Sequence, residues 1–371
     1  MTVLRSVVLA GGGTGGHIEP ALALAECIRR YHPDARITCL GTPKGLETEI
    51  IPARGWDLEL VPAYPLPRRP NADLARTPGR IRKAVAAVGE VLDKVEAEVV
   101  VGFGGYVALP AYLAARKNKI PAVVHEVNDP AGIANKVGAR FTPFVGLGGE
   151  HVTLRNGTVV GVPLRRTIST LDRSAARAAA REHFGLDHDK PVLFVSGGSQ
   201  GARSLNLAVT AAAKALGAAN IQVLHVIGAR NTLDIMPEPS GTKYVTLPFL
   251  DRMDLGYAAA DLMLCRGGAL TCAEVAAVGL PAVYVPYPHG NGEQRRNALP
   301  VTRAGGGLLV EDAELSAPWL EENVIPLLSE PDRIAAMGRA AAGYGRRDGD
   351  EALLALVYQA VRENQRAEEQ A

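Results

Sequence analysis

Short runs of aliphatic and β-branched residues recur along the chain, each followed by a stretch whose apolar positions fall three and four apart. Val3 to Ala10 is the first run; Leu22, Leu24, Ala25 and Ile28 then mark one face of a helix with Pro20 near its first turn. Further strands are predicted at Arg36 to Leu40, Leu58 to Val61, Val99 to Phe103 and Ala122 to His125, with helices over 45–54, 79–97, 109–118 and 130–138. Alternating buried strands and helices predict a parallel sheet covered on both faces.

The rhythm breaks between Gly161 and Pro191, where Val-Pro-Leu-Arg-Arg precedes an Ala/Arg-rich helical stretch over 173–184 and then Asp187-His188-Asp189-Lys190-Pro191. A hinge is expected here, dividing the chain into domains over 1–163 and 164–345. Strands resume at Val192 to Ser196, 221–227, 243–247, 261–265 and 282–285. Leu353, Leu354, Val357, Ala360 and Val361 share one face of a final helix over about residues 350–366, before a polar tail expected to fray.

The length of 371 residues agrees with two domains at about 150 residues each. With 47% hydrophobic residues, 21% charged residues and a net charge of +1, the composition is that of a soluble globular protein, and no global field favours nucleic acid. Cys27, Cys39, Cys265 and Cys272 form no C-x-x-C pair and read as reduced structural thiols of a cytosolic protein. Val7 to Ala10 is too short for a signal-peptide core. The uncharged stretch Val99 to Ala115 contains Gly102, Gly104, Gly105 and Pro110 and falls short of the roughly 20 residues a membrane span needs, so it reads as strand, turn and buried helix.

Two glycine-rich turns sit half a chain apart, Gly11-Gly12-Gly13-Thr14-Gly15-Gly16-His17 and Gly197-Gly198-Ser199-Gln200-Gly201-Ala202-Arg203, each between a strand and a helix. Such a turn lets backbone amides and the positive end of the helix dipole approach phosphate, which points to two nucleotide-type domains facing one cleft. The first matches the dinucleotide pattern Gly11-x-Gly13-x-x-Gly16, but the second strand ends Cys39-Leu40-Gly41-Thr42-Pro43 without the carboxylate that would bind a ribose diol. Neither turn carries the Gly-Lys-Ser/Thr of a triphosphate loop.

His17, directly after the first turn, suits a general base, since an ordinary imidazole is largely neutral at cytosolic pH; a plain helix-start residue is the alternative. His125-Glu126-x-Asn128 ends an apolar strand, where ligands bind in open parallel sheets, though polar residues stapling a loop would look the same. Cys265 to Glu274 places small residues beside a turn and Glu274 about one helical turn further on, where a carboxylate can accept from a ribose diol.

Taken in order, Gly12-Gly13-Thr14-Gly15-Gly16-His17, Gly102-Phe103-Gly104-Gly105-Tyr106, His125-Glu126-x-Asn128, Gly161-x-Pro163-x-Arg165, the second glycine turn, Ala269-Leu270-Thr271 with Glu274, and Glu293-Gln294-x-x-Asn297-Ala298 resemble the MurG family of peptidoglycan N-acetylglucosaminyltransferases over nearly the whole chain. The resemblance implies an α/β fold of the GT-B type, two Rossmann-like parallel-sheet domains facing a cleft with the C-terminal helix crossing back to the first. It implies inverting transfer of N-acetylglucosamine from UDP-N-acetylglucosamine (UDP-GlcNAc) to the muramyl 4-hydroxyl of undecaprenyl-diphospho-muramyl-pentapeptide, the second domain holding the nucleotide sugar.

By motif match Ser199 meets a donor phosphate, with Gln200 beside it in the UDP-GlcNAc site, the backbone at Leu250 the uracil, Glu274 the ribose, Ala269, Leu270 and Thr271 the diphosphate region, and Gln294 the sugar. Thr14, Gly15, Gly16, Asn128 and Arg165 align with further family substrate-contact positions and are read as UDP-GlcNAc contacts. Gly12 to Gly16 are assigned to the acceptor diphosphate, His17 to the base, and Glu126 to a weaker candidate base. Dipole ends and hydrogen bonds can hold the charge on departing UDP, so this reading calls for no metal and no cofactor. The D-x-D look of Asp187-His188-Asp189 and Asp348-Gly349-Asp350 lies outside every ligand motif.

A membrane-lipid acceptor requires a surface for the bilayer on the first domain. Arg68, Arg69, Arg76, Arg80, Arg82 and Lys83 with the single acid Asp73 give a local +5, read as a patch for an anionic membrane; an ordinary solvated helix face is the alternative. The expected location is peripheral, on the cytoplasmic face of the plasma membrane, with other cell-wall enzymes as further partners and no nucleic acid. Two departures stand out: Val127 where many relatives have glutamine, and Gly267 in place of serine or alanine. A UDP-sugar transferase with another lipid or secondary-metabolite acceptor, and an NAD-dependent oxidoreductase, are the rival readings.

Overall fold

In the computed structural model, residues 3–64, 72–198, 200–233 and 241–370 are described. They form two compact units, Met1–Arg165 with Arg347–Ala371, and Arg166–Arg346. The first contains β1 (Ser6–Gly11), α1 (Gly15–Tyr31), β2 (Arg36–Gly41), α2 (Glu47–Ala53), β3 (Asp57–Leu60), α3 (Ala72–Lys94), β4 (Val99–Gly104), α4 (Ala108–Lys117), β5 (Ala122–Glu126), α5 (Ile133–Gly138), β6 (Val145–Leu147) and β7 (Gly157–Val159). The second contains α6 (Arg166–Ser169), α7 (Arg173–His183), β8 (Val192–Ser196), α8 (Arg203–Ala218), β9 (Gln222–Val226), β10 (Tyr244–Leu247), α9 (Met253–Ala259), β11 (Leu262–Cys265), α10 (Ala269–Ala277), β12 (Ala282–Tyr284), α11 (Glu293–Arg303), β13 (Gly307–Leu309), α12 (Ala317–Leu328) and α13 (Pro331–Tyr344). The last helix, α14 (Gly349–Glu369), returns to the first unit.

Both sheets are parallel throughout, in the orders β3-β2-β1-β4-β5-β6-β7 and β10-β9-β8-β11-β12-β13. Period-two alternation explains how each strand serves two layers. In β1, Val7 and Leu9 join the core under α1 and α14, while Val8 and Ala10 join the core under α3 and α4. In the second unit Leu193 and Val195 pack toward α8 and α12, while Phe194 meets Tyr257 of α9 edge to face, with ring centroids 6.1 Å apart.

Helix α7 is fastened by arginines rather than by an apolar stripe. Arg173 donates to the carbonyls of Tyr257, Ala260 and Gly279, Arg177 pairs with Asp261, and fully buried Arg181 reaches Asp261 and the carbonyls of Asp187, His188, Lys190 and Ala259. These bonds satisfy each buried guanidinium, which a lone buried charge could not tolerate. Burial also lowers the Arg173 pKa to about 10.

Several boundaries differ from expectation. β6, β7 and β13 were not anticipated, because three residues including a glycine carry no readable period. Helix α3 begins at Ala72 rather than 79, since Pro78 and Gly79 read as a breaker but lie inside it. The tail of α14 stays helical to Glu369 instead of fraying, with Gln359–Glu363 and Asn364–Glu368 side-chain bonds along its exposed face. All four cysteines are free and buried. Among the described residues no helix is long and apolar enough to cross a membrane.

Candidate active site

In the first unit the strand order reverses between β1 and β4, and at such a point an open parallel sheet binds ligands at its carboxyl edge. The first glycine turn follows β1, and Gly104 and Gly105 follow β4 against it. Gly104 has φ 101°, and a Cβ there would sit 3.1 Å from His17 Nε2 and 3.5 Å from Asn135 Nδ2. Its bare backbone is what gives the imidazole room. Thr14 Oγ1 lies 3.3 Å from His17 Nδ1 at the start of α1; a proton on Nδ1 shared with that hydroxyl leaves Nε2 as the basic nitrogen.

Glu126 is also here but is not shaped as a base. It is buried, its Oε1 accepts from the amides of Val127 (3.0 Å) and Asn128 (2.9 Å), and its Oε2 accepts from the Gly132 amide (2.8 Å) and Asn135 Nδ2 (3.0 Å). Four donors fill the four acceptor sites of a carboxylate, so Glu126 holds the 127–132 loop, including Asn128 and the divergent Val127, and is poorly placed to take a proton. Asn135, which no motif singled out, links this loop to β5 through the His125 carbonyl at 2.9 Å and to Tyr112, whose hydroxyl donates to it at 2.7 Å. Arg165 Nε stands 3.7 Å from Glu19 Oε2 on α1, and Arg54 grips the same carboxylate at 2.7 and 2.9 Å.

The turn itself holds a surprise. Glu47, the first residue of α2, is fully buried and folds back to the end of β2, where it accepts from the amides of Gly13 (2.9 Å) and Thr42 (2.8 Å) and from Thr42 Oγ1 (3.0 Å). A carboxylate thus does stand at the end of β2, but it is turned inward, where no ribose can reach it. The Gly13 amide, one of the Gly12 to Gly16 set assigned to the acceptor diphosphate, donates to Glu47 in this structure. The outward amides are those at the α1 start, around Thr14, Gly15 and Gly16.

In the second unit the order reverses between β8 and β11. The second glycine turn closes with the Gly201 amide donating to the Gly198 carbonyl at 2.9 Å, and Asn231 Nδ2 donates to the Gln200 carbonyl at 3.2 Å. Ser199 lies outside the described residues. Ala269, Leu270 and Thr271 form the first turn of α10. Gln294 lies in the first turn of α11, where its Oε1 accepts from the Tyr287 amide at 2.9 Å. A Cβ at Gly267 would collide with the Gln294 carbonyl at the start of α11, so the glycine is what allows this close approach. Leu250 sits in the β10–α9 loop beside exposed Phe249.

Glu274 is buried on α10, and Tyr257 donates its hydroxyl to Oε2 at 2.7 Å. Arg266, in the most distinctive motif of this half, is a brace rather than a ligand group. It donates to the carbonyls of Val285 and Pro286, to Ser204 Oγ at the start of α8, and to Asp312.

Helix starts mark both edges, although α2, α9 and α11, which also follow strands, carry acids in their first turns. α1, α4, α5, α8 and α10 begin without a side-chain cap and without an acid in the first turn, each after the carboxyl end of a strand. By contrast, α7 is capped by Asp172 and α12 by Ser316. An uncapped start of positive dipole with no acid nearby is receptive to an anion. Among the described residues no cluster of three or more His, Cys, Asp or Glu could hold a metal. Asp350 of the second D-x-D is buried against Arg30 at 2.7 Å.

Two buried histidines back the sheets. His125 donates through Nε2 to the Gly161 carbonyl at 2.8 Å, and burial lowers its pKa to about 4, the Gly161 bond working the other way. His225, between Tyr244 and Asn206, is likewise lowered by burial to about 4. Both are neutral when folded and take a proton near pH 6.5 when unfolded, so stability is full above about pH 6.5 and drains as pH falls toward 4, by up to about 3 kcal/mol each. The thermal midpoint should therefore drop between pH 6.5 and 4.5, less steeply in His225→Gln; equal slopes would contradict this.

Two Rossmann-like units in one chain, each with an anion-receptive edge where its strand order reverses, define a glycosyltransferase of the GT-B class. Residues 7–145 match the glycosyltransferase family 28 N-terminal domain, and residues 192–353 match its C-terminal domain. The chain is 55% identical over 356 residues to the UDP-N-acetylglucosamine--N-acetylmuramyl-(pentapeptide) pyrophosphoryl-undecaprenol N-acetylglucosamine transferase of Streptomyces coelicolor, covering 96% of this chain and 98% of that one. It is 57% identical over 360 residues to the transferase of the same name from Acidothermus cellulolyticus, at 96% and 98% coverage. The chain belongs to this family of N-acetylglucosamine transferases, within glycosyltransferase family 28. Among solved structures it is similar to MurG of Acinetobacter baumannii, with TM-score 0.76 and 27% identity over 95% of this chain and 99% of that one. The kitacinnamycin glycosyltransferase, at 16% identity and TM-score 0.66 over 97% and 100%, shares the fold.

Proposed function

We propose that this chain transfers N-acetylglucosamine from UDP-GlcNAc to the muramyl 4-hydroxyl of undecaprenyl-diphospho-muramyl-pentapeptide, inverting the anomeric centre. The observation that carries the reading is the asymmetry of the two edges, in a chain 54–57% identical to relatives of that name. The first edge has an imidazole beside its glycine turn and an inward carboxylate where a nucleotide would need an outward one. The second has no such imidazole at its turn; its buried carboxylate, Glu274, stands on the α10 helix that opens at the reversal, with Tyr257 on its Oε2.

In this reading the second unit, over about 164–345, holds the donor. The amides of Ala269 to Thr271 and the Ser199–Gln200 turn take the diphosphate, the Leu250 backbone the uracil, Gln294 the sugar, and Glu274, oriented by Tyr257, the ribose. The first unit, 1–163 with the final helix, holds the acceptor diphosphate at Thr14, Gly15 and Gly16, with Asn128 and Arg165 as further substrate contacts. His17 Nε2 accepts the proton of the attacking hydroxyl while the helix starts stabilise the negative charge that grows on departing UDP.

The test has two arms. UDP near a hundred times its Kd should stabilise the protein by about 2.7 kcal/mol, read as a raised Tm, while NAD should not. Incubation with UDP-GlcNAc and the lipid-linked muramyl pentapeptide should yield a product heavier by one N-acetylhexosamine. Stabilisation by NAD alone, or no product from a protein that binds UDP, sinks the reading.

The enzyme is further proposed to sit peripherally on the cytoplasmic face of the plasma membrane. Arg80, Arg82 and Lys83 lie on α3, and the Arg80 guanidinium sits 5.3 Å from the centroid of exposed Tyr64; Arg68, Arg69 and the Arg76 side chain lie outside the described residues. At about 1 kcal/mol per basic residue near an anionic leaflet, reversing Arg80, Arg82 and Lys83 should weaken binding to anionic liposomes while leaving turnover of a short-chain soluble acceptor in place. Unchanged liposome binding would refute the patch.

A further inference from the structure

We infer that Glu47 is the positioning residue of the first glycine turn: an internal carboxylate that ties down the turn's inner amide and so presents the outer amides and His17 to the acceptor. The inference rests on the reading that the first unit takes the lipid-linked acceptor.

Its surroundings are built for an anion. Glu47 is fully buried, and its carboxylate is enclosed by backbone: a Cβ at Gly12 would lie 2.9 Å from Oε1, and one at Gly41 or Gly45 would overlap the Glu47 side chain outright. Three donors converge on it from two loops, the Gly13 amide after β1 and the Thr42 amide and hydroxyl after β2. Burial raises its pKa, but the hydrogen bonds from Gly13 and Thr42 prevail and hold it below the ordinary carboxylate value.

Burying an anion is costly, and a neutral side chain could have bridged the same two loops more cheaply. What the charge adds is strength and direction, since amide bonds to a carboxylate are shorter and stronger than those to a neutral oxygen. The bond is made by Gly13 at φ 91°, where the chain turns to enter α1, so it sets the path of Thr14, Gly15 and Gly16 and the foot of His17. The same charge repels an anion from the inner part of the turn. A diphosphate is thereby confined to the α1 start, next to the imidazole.

Glu47→Gln keeps the size of the side chain but turns an amide NH2 toward one of two N–H donors. It should be compared with the wild type as full-length protein, using UDP-GlcNAc and a short-chain, soluble diphospho-muramyl-pentapeptide. The expected result is an acceptor KM raised at least about tenfold, with the Kd of UDP by calorimetry within about twofold. A folded variant with acceptor KM within twofold of wild type overturns the inference, as does a loss of UDP affinity parallel to the loss of acceptor affinity. If Glu47→Gln does not fold, Thr42→Val removes only the hydroxyl bond. It should raise acceptor KM about threefold with UDP affinity unchanged, and no such selective change overturns the inference. The wild-type control separates the two levels: a wild type that leaves the acceptor unglycosylated defeats the acceptor reading, whereas an active wild type matched by Glu47→Gln defeats only the role of Glu47.

Discussion

Replacing His17 by alanine should lower turnover by about a hundredfold or more while leaving UDP affinity intact. The imidazole is the basic group that the first edge supplies once both Glu126 oxygens are committed to the amides of Val127, Asn128 and Gly132 and to Asn135. Its Nε2 faces the bare backbone of Gly104, and its Nδ1 is anchored by Thr14. Donor contacts belong to the second unit in the proposed mechanism, so removing the base costs transition-state stabilisation without costing donor binding. Saturating kcat and calorimetric UDP binding on the same preparation decide it; near-normal turnover removes His17 from the role. Glu126→Gln should instead act through the 127–132 loop, raising acceptor KM more than it lowers kcat.

Ending the chain at Asp348 should unfold the first unit. That deletion takes Leu353, Leu354, Val357 and Val361 out of the core beneath α1, where each is buried. At about 1.5–3 kcal/mol per large apolar side chain the loss reaches roughly 6–12 kcal/mol, the scale of a whole domain's stability. It also removes Asp350 from Arg30 and Tyr358 from His32, bonds of 2.7 and 2.6 Å that fasten the helix to the far end of α1. The truncated protein should show no cooperative transition for this unit and should bind an apolar dye. A truncated chain that melts at the wild-type Tm would show the helix to be dispensable. Leu354→Ala, a milder version, should cost about 2–5 kcal/mol.

The sequence made the fold class readable because its long central strands are uninterrupted apolar runs and its helices carry clear stripes. Val99 to Phe103 and Val192 to Ser196 could hardly be anything but buried parallel strands. The short strands β6, β7 and β13 stayed hidden, since three residues including a glycine show no readable period and pairing with a neighbour is what makes them strands. The glycine turns were legible for a related reason, as the demand for bare backbone leaves a mark in the sequence. Glu47 left none: it lies five residues beyond Thr42, in a short helix, and only the fold carries it back beneath the Gly13 amide. The filled acceptor sites of Glu126 were equally invisible, because three of its four donors are backbone amides and the fourth is Asn135.

The return of α14 to the first unit also sets an order of events during synthesis. Residues 166–346 form their unit from one continuous stretch, whereas the unit begun by the first strand lacks part of its core until the last residues emerge. On the ribosome, therefore, the later-made domain can finish folding while the earlier one still waits, reversing the usual N-to-C order. A chain cut short by premature termination or proteolysis would carry an intact second unit joined to a first unit that cannot close its core.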